Sequence, residues 1–185
     1  LYGTEAGNGA IIITTKKGKA GKLKISYDNS FRFEQITRYH EVQKVYDNGA
    51  NGAFANTTRL FFGPKYAEGT TFYNNAKNFF NVGTAFKHNL SLEGGRANTT
   101  YRASGSFYDQ TGTIPNTGNK KINARVNVNS RVSKKLELTA SLAYYYQFNR
   151  KVFRGTDGYY LSLLRWPLDD DARRFENVSG NRRII

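Results

Sequence analysis

Five stretches of this chain alternate apolar and polar residues one for one, and the links between them alternate short and long. They are residues 23–34, 85–94, 101–108, 121–132 and 136–148. In the fourth, Ile122, Ala124, Val126, Val128 and Val132 fall on one face, while Lys121, Asn123, Arg125, Asn127, Asn129 and Arg131 fall on the other. Side chains of a strand repeat every two residues, so each stretch predicts a strand with one apolar and one polar face. The links after the second and fourth stretches, 95–99 and Ser133-Lys134-Lys135, are short; those after the first, third and fifth are longer. Tight turns at one end and long loops at the other predict an all-β, antiparallel, up-and-down sheet.

Such a sheet hides its apolar face in one of two ways: against a second sheet, or in lipid as part of a transmembrane β-barrel. The aromatics favour lipid. Phe31 and Phe33 end the first stretch, Phe79, Phe80 and Phe86 lead into the second, Phe107 and Tyr108 end the third, and Tyr144, Tyr145, Tyr146 and Phe148 end the fifth. All lie at the long-loop end, where a membrane barrel gathers rings at the headgroup level. The fourth stretch, with Ile122 there, is the exception. Polar residues interrupt the apolar faces, among them Asn29 in the first stretch and His88 in the second. His88 is expected near an interface or where protein covers the strand.

No apolar run approaches the ~20 residues of a membrane helix. A spanning strand needs only ~9–11 residues, half of them polar when they face a wet lumen. The 185 residues contain 28 Lys and Arg against 14 Asp and Glu, a formal charge of +14. A nucleic-acid surface is one reading of that charge, and a solvated polar face is the other. The basic residues are dispersed over strands and loops and alternate with Asn and Ser, which favours the second reading and no nucleic-acid partner. There is no cysteine, so neither disulfides nor thiolate metal sites are expected, in keeping with export through an oxidising compartment. With no methionine and no signal peptide, and opening on Leu1-Tyr2-Gly3, the sequence reads as a piece of a longer protein.

Residues 1–19 differ from the rest. Gly7-Asn8-Gly9 is a turn signal, and Ala10-Ile11-Ile12-Ile13-Thr14-Thr15 is a β-branched run that predicts a strand buried on both faces. Between the first and second strands lies a long excursion, 37–83. Within it, residues 39–48 have helical spacing (Val42, Val45, Tyr46) and end at Gly49, predicting a short helix. Residues 158–165 predict a helical turn stopped at Trp166-Pro167.

The opening residues, LYGTEAGNGAIIITTKKGK, resemble the end of the plug domain in SusC/RagA-like TonB-dependent outer-membrane transporters. Tyr2, Gly3, Asn8, Gly9, Ile11, Ile12, Ile13, Thr14, Thr15, Lys16, Lys17 and Gly18 match that family's closing signature. Thr4-Glu5-Ala6-Gly7 stands where many members have Ser-Arg-Ala-Ala. Phe62-Gly63-Pro64-Lys65 resembles the Gly-Pro-Lys element of the first long loop. Asn78-Phe79-Phe80-Asn81-Val82-Gly83 resembles the Phe-Phe-x-x-Gly element before the second strand. Gln110-Thr111-Gly112-Thr113-Ile114-Pro115 is similar to the family's Gln-x-Gly-x-(Ile/Val)-Pro loop. The four signatures occur in family order over residues 1–119.

The resemblance implies active import across the outer membrane of a Gram-negative cell. In the family a 22-stranded barrel encloses a plug, a SusD-like surface lipoprotein closes it as a lid over a glycan or peptide, and TonB pulls the plug using the proton-motive force. It implies that residues 1–19 end the plug, that 20–149 supply five barrel strands with 37–83 as an extracellular loop, and that 150–185 form a further extracellular loop region. The partners implied are outer-membrane lipid, TonB through a segment upstream, a SusD-like lipoprotein, and an oligosaccharide or peptide.

No catalytic constellation is present. His40 and His88 are the only histidines, and neither a nucleophile–base spacing nor a phosphate-binding glycine loop occurs. No enzyme activity and no cofactor are expected. Asp169-Asp170-Asp171 offers oxygen ligands for calcium, but a solvated acidic stretch is the simpler expectation. Lys24, Arg32, Lys87, Arg102, Arg125 and Arg131, on polar strand faces, are candidates for the plug–barrel contact, with plain lumen solvation as the alternative. Tyr66, Tyr73, Tyr159, Tyr160 and Trp166 are candidates to touch substrate or lid, with packing inside their own loops as the alternative. Three functions follow: a piece of a transporter, a soluble glycan-binding β-sandwich module, or an outer-membrane adhesin or passive porin. A piece of barrel leaves two open strand edges, so the isolated chain is expected to misfold or aggregate.

Overall fold

The computed structural model describes residues 9, 15–55, 58–153, 155, 158–176 and 178–180. In chain order the elements are β1 (Gly21–Glu34), β2 (Gly49–Ala50), β3 (Ala53–Phe54), α1 (Asn75–Phe79), β4 (Gly83–Arg96), β5 (Thr99–Thr111), β6 (Gly118–Ser133), β7 (Leu136–Arg150), α2 (Tyr159–Leu164) and a 3-10 turn, Ala172–Arg174. Strands β1, β4, β5, β6 and β7 form one five-stranded sheet in that order. These are the five alternating stretches, each somewhat longer than its periodicity alone marked. At 13 to 16 residues they exceed what a tilted strand needs to cross a bilayer. Two-residue turns, Ala97-Asn98 and Lys134-Lys135, join β4 to β5 and β6 to β7. Turns this short force antiparallel neighbours, and the fold is the expected all-β, up-and-down sheet of a partial barrel. The expected buried strand over residues 10–15 falls almost wholly outside the described residues.

The chain packs as two units. One comprises Leu1–Ser30, Lys87–Tyr108 and Lys121–Gln147; the other comprises Phe31–Phe86, Asp109–Lys120 and Phe148–Ile185. In the first unit no described apolar side chain is buried. Ile25 is 61% exposed and Leu142 is 74% exposed. The polar face, by contrast, is tied strand to strand. Asn89 Nδ2 donates to Asp28 Oδ1 (2.7 Å), Arg102 Nη1 to Glu93 Oε2 (2.5 Å), Asn123 Nδ2 to Ser106 Oγ (2.9 Å), Ser141 Oγ to Asn127 Oδ1 (2.7 Å) and Thr139 Oγ1 to Asn129 Oδ1 (3.0 Å). Each neighbouring pair of strands is thus bridged on that face. Asn29 and His88 are both partners of Tyr27 on β1 and β4. The Tyr27 hydroxyl lies 2.7 Å from His88 Nδ1 and accepts from Asn29 Nδ2 at 3.5 Å.

In the second unit the two buried apolar residues among those described are Ala85 and Leu168. Its order comes largely from hydrogen bonds and rings. Asn51-Gly52, both with positive φ, form the turn of the β2–β3 hairpin, whose register is Gly49↔Phe54 and Ala50↔Ala53. Asn-Gly is the pair that a type I′ hairpin turn favours. The expected helix over 39–48 does not form. Gln43 Oε1 accepts from the amides of Val45 and Tyr46 (2.8 and 2.9 Å), and Gln43 Nε2 donates to the Tyr46 carbonyl (2.6 Å). Tyr46 instead pairs with Lys65 in an antiparallel bridge. Local side-chain bonds offer the backbone an alternative to helical pairing, and the would-be apolar helix face, Val45 and Tyr46, is exposed. Residues 159–164 are helical, as the spacing predicts, and Arg165 caps them ahead of Trp166-Pro167.

Candidate functional site

The polar face of the first unit carries most of the basic residues singled out by the sequence. Strand alternation puts Lys24, Lys87, Arg102, Arg125 and Arg131 there, but only Arg102 and Arg125 come together. Both line a hollow of about 310 Å³ with Asp28, Asn89, Asn123 and Ser104. Arg102 is tied to Glu93, and both side chains are largely covered, at 17% and 20% exposure. Arg125 shares the hollow as a cation beside hydroxyls and amides. Lys24, Lys87 and Arg131 are exposed strand residues away from it. Arg32 belongs to the second unit, where it pairs with Glu34 two residues along its own strand (2.8 Å).

Asn127 is a contact that sequence reasoning did not single out. It is 6% exposed, and its amide Nδ2 donates to the carbonyl of Lys16 at 3.2 Å. The chain at Lys16 is therefore held to the polar face of β6 through its backbone carbonyl. Nothing in the pattern distinguishes Asn127 from Asn123 or Asn129, because the choice depends on where the incoming chain crosses.

In the second unit the loop aromatics divide by role. Tyr66 packs in its own loop, with its ring edge-on to Phe72 (4.9 Å). Its hydroxyl is buried beside the Asp47 carboxylate without a well-formed hydrogen bond. Burial, reinforced by the charges of Asp47 and Asp169, pushes the phenol up to about 12. Tyr73 donates its amide to the Leu168 carbonyl (2.7 Å) and lines a hollow of about 530 Å³ with His40, Lys44 and Phe72. Tyr159 stacks on Phe79 (5.4 Å, 15°), and Tyr160 meets His40 and Phe80. Trp166 donates its indole N–H to Asp170 Oδ2 (3.0 Å). Tyr159 and Trp166, with Phe79, Phe153, Pro115 and Asn116, line an open cleft of about 870 Å³. Aromatic faces beside amide and cationic groups can bind a sugar ring or a peptide side chain.

What holds this cleft is Asn75, which was also not singled out. At 4% exposure its Nδ2 donates to the carbonyls of Pro167 (3.3 Å) and Asp170 (3.0 Å), and its Oδ1 accepts from the amide of Ala172 (3.0 Å). The sequence does mark the place. Asn74 accepts from the Lys77 amide as the N-cap of α1, and an Asn before a short run is a helix-start signal. Asp169 is exposed, as a solvated stretch would be, whereas Asp170 and Asp171 are engaged by protein. Asp171 is buried and grips Arg173 through both oxygens. Hydrogen bonds from Arg173 hold its carboxyl down at about 2. Asp170 receives Trp166, and Asp169 is pushed up by desolvation and by Asp47.

No protein-family model matches the chain. Among curated proteins it is 31% identical over 131 residues to the TonB-dependent receptor SusC of Bacteroides thetaiotaomicron, an alignment covering 69% of this chain and 12% of that protein. It is 26% identical over 190 residues to the TonB-dependent receptor P26 of Formosa agariphila, covering 98% of this chain and 19% of that protein. Among solved structures it is similar to one chain of the RagAB peptide importer in its closed-closed state. There the TM-score is 0.63 at 22% identity, over 99% of this chain and 24% of the other. The chain thus spans less than a fifth of the length of these curated relatives.

Proposed function

This chain belongs to the SusC/RagA-like TonB-dependent receptors, and from that premise we propose that it supplies part of the barrel wall and outer loops of an active importer in a Gram-negative outer membrane. The observation that carries the proposal is the two-faced sheet, whose polar side is bridged by side-chain hydrogen bonds between each neighbouring pair of strands while no described apolar side chain of the first unit is buried. A soluble sandwich would bury that apolar side against a second sheet. Lipid solvates it without one. Residues 1–19 are assigned to the end of the plug, 20–149 to the first barrel strands with loop 37–83, and 150–185 to an outer loop. Lys24, Arg32, Lys87, Arg102, Arg125 and Arg131 face the lumen and the plug. Tyr159, Tyr160, Tyr73 and Trp166 face substrate or a SusD-like lid, whereas Tyr66 serves its own loop. The cargo is an oligosaccharide or a peptide, drawn through without covalent chemistry when TonB acts on the plug.

Deleting the region upstream of residue 1 in the full gene tests this. An importer loses uptake of its cargo and keeps its place in the outer membrane. Retention of full uptake would favour a passive pore. Binding of cells to a surface, retained with no uptake in either form, would favour an adhesin.

A further inference from the structure

Resting on the plug assignment above, we infer that Asn127 is a positioning residue for transport: it clamps the chain at Lys16 to the barrel wall and sets the point at which withdrawal of the plug must stop. Three observations meet there. Asn127 is buried, in a unit where no described apolar side chain is. Both ends of its amide are used: Nδ2 holds the Lys16 carbonyl, and Oδ1 accepts from Ser141 on β7, so the side chain is fixed before it grips the incoming chain. Two residues on, Gly18 runs so close to β5 that a Cβ added there would lie 2.3 Å from the Tyr101 carbonyl oxygen and 2.7 Å from its nitrogen. Only glycine fits so close an approach.

The path between these points is nearly taut. From Lys16 on β6 to Gly21 at the start of β1, the chain crosses the positions of β5 and β4 in the sheet order. Three strand spacings come to about 14 Å. Five residues reach at most about 17 Å. Such a strap has little slack to lend. A pull arriving from upstream therefore loads the Asn127 amide first, and the β1–β4 pairing that begins at Gly21 only after that amide lets go. Held this way, the plug can be drawn out while the wall strand it leads into stays paired.

The test is single-molecule pulling on the full-length transporter in a bilayer, with the periplasmic domain of TonB on the probe. With Asn127 present, the last force peak falls where the released chain ends at Lys16. Asn127→Leu keeps the side-chain shape and removes the polar atoms. It is expected to abolish that peak and let about five more residues, roughly 17 Å, run out before the next stop. Ser141→Ala leaves the clamp in place but unbraced, and is expected to keep the peak at the same length with a lower force. An Asn127→Leu trace that ends at the wild-type length and force overturns the clamp. If Asn127→Leu does not yield a folded barrel, Ser141→Ala decides, and an unchanged peak force overturns the clamp as well. Absence of any TonB-borne peak in the wild type would sink the plug assignment itself, and the clamp with it.

Discussion

Single side chains carry most of the order in the second unit, which has almost no apolar core. Asn75 is the chief example, because three backbone groups at 167–172 have it as a partner. Replacing it with Leu leaves those groups unsatisfied, at a cost of about 2–3 kcal/mol of local stability. Amide exchange at Ala172 should accelerate by one to two orders of magnitude. Ionisable groups in the same unit give two opposite pH dependences. Hydrogen bonds from Arg173 depress the Asp171 carboxyl to about 2, below its ordinary value. The stability they lend is present above that ordinary value and is lost as pH falls toward 2. Exchange of the 172–174 amides should therefore rise in acid, and Asp171→Asn should remove that dependence. Tyr66 runs the other way. Burial and the nearby Asp47 and Asp169 charges raise its phenol to about 12. The folded state keeps the proton, and the resulting stability is lost as pH climbs from 10 through 12. Absorbance titration should show a tyrosine with a midpoint near 12, moving toward 10 in Asp47→Asn.

Among the elements, the strands and the helical turn at 159–164 were legible and the structure of 39–48 was not, for a reason visible in particular residues. Ile122, Ala124, Val126 and Val128 share a face because strand geometry leaves no alternative once the backbone is extended. Helical spacing at Val42, Val45 and Tyr46 carries no such necessity. Three apolar residues define a helix only if something covers them, and Val45 and Tyr46 stay exposed. Gln43, a good helix former, takes up the 45–46 backbone itself. Gln43→Ala should raise amide exchange at Val45 and Tyr46 several-fold, in line with about 1 kcal/mol for the lost bonds, and should leave β2 and β3 paired. Helical gain at 39–48 in that variant would mean that the side-chain bonds alone had suppressed the helix.

For the whole molecule, the uncovered apolar face separates a membrane wall from a soluble sheet. Leu142, 74% exposed on β7, points to that face, and Ser141 beside it points to the polar one. In the full-length protein folded into phospholipid vesicles, Leu142→Arg should cost about 2–4 kcal/mol if the position lies near the bilayer midplane. Ala143→Arg, on the polar side, should cost much less. Equal, small effects at both positions would mean that water, not lipid, meets the apolar face.

Alternation, turn spacing and the one-ended aromatics were enough to set the sheet, its strand order and its two-faced character, because period, connectivity and polarity are local properties of a chain. The matches at Lys16, Lys17 and Gly18, at Gly63-Pro64 and at Gly112 placed it beside its relatives. Which polar residues do work was decided only in three dimensions. Asn127 grips Lys16 across 111 residues, and Asn75 holds the 167–172 segment across more than 90. Arg102 is spoken for by Glu93, Asp170 by Trp166 and Asp171 by Arg173. A sequence records that an amide can donate and accept. It does not record which backbone will be within 3 Å, because that distance is fixed by how the strands are paired and where the loops cross.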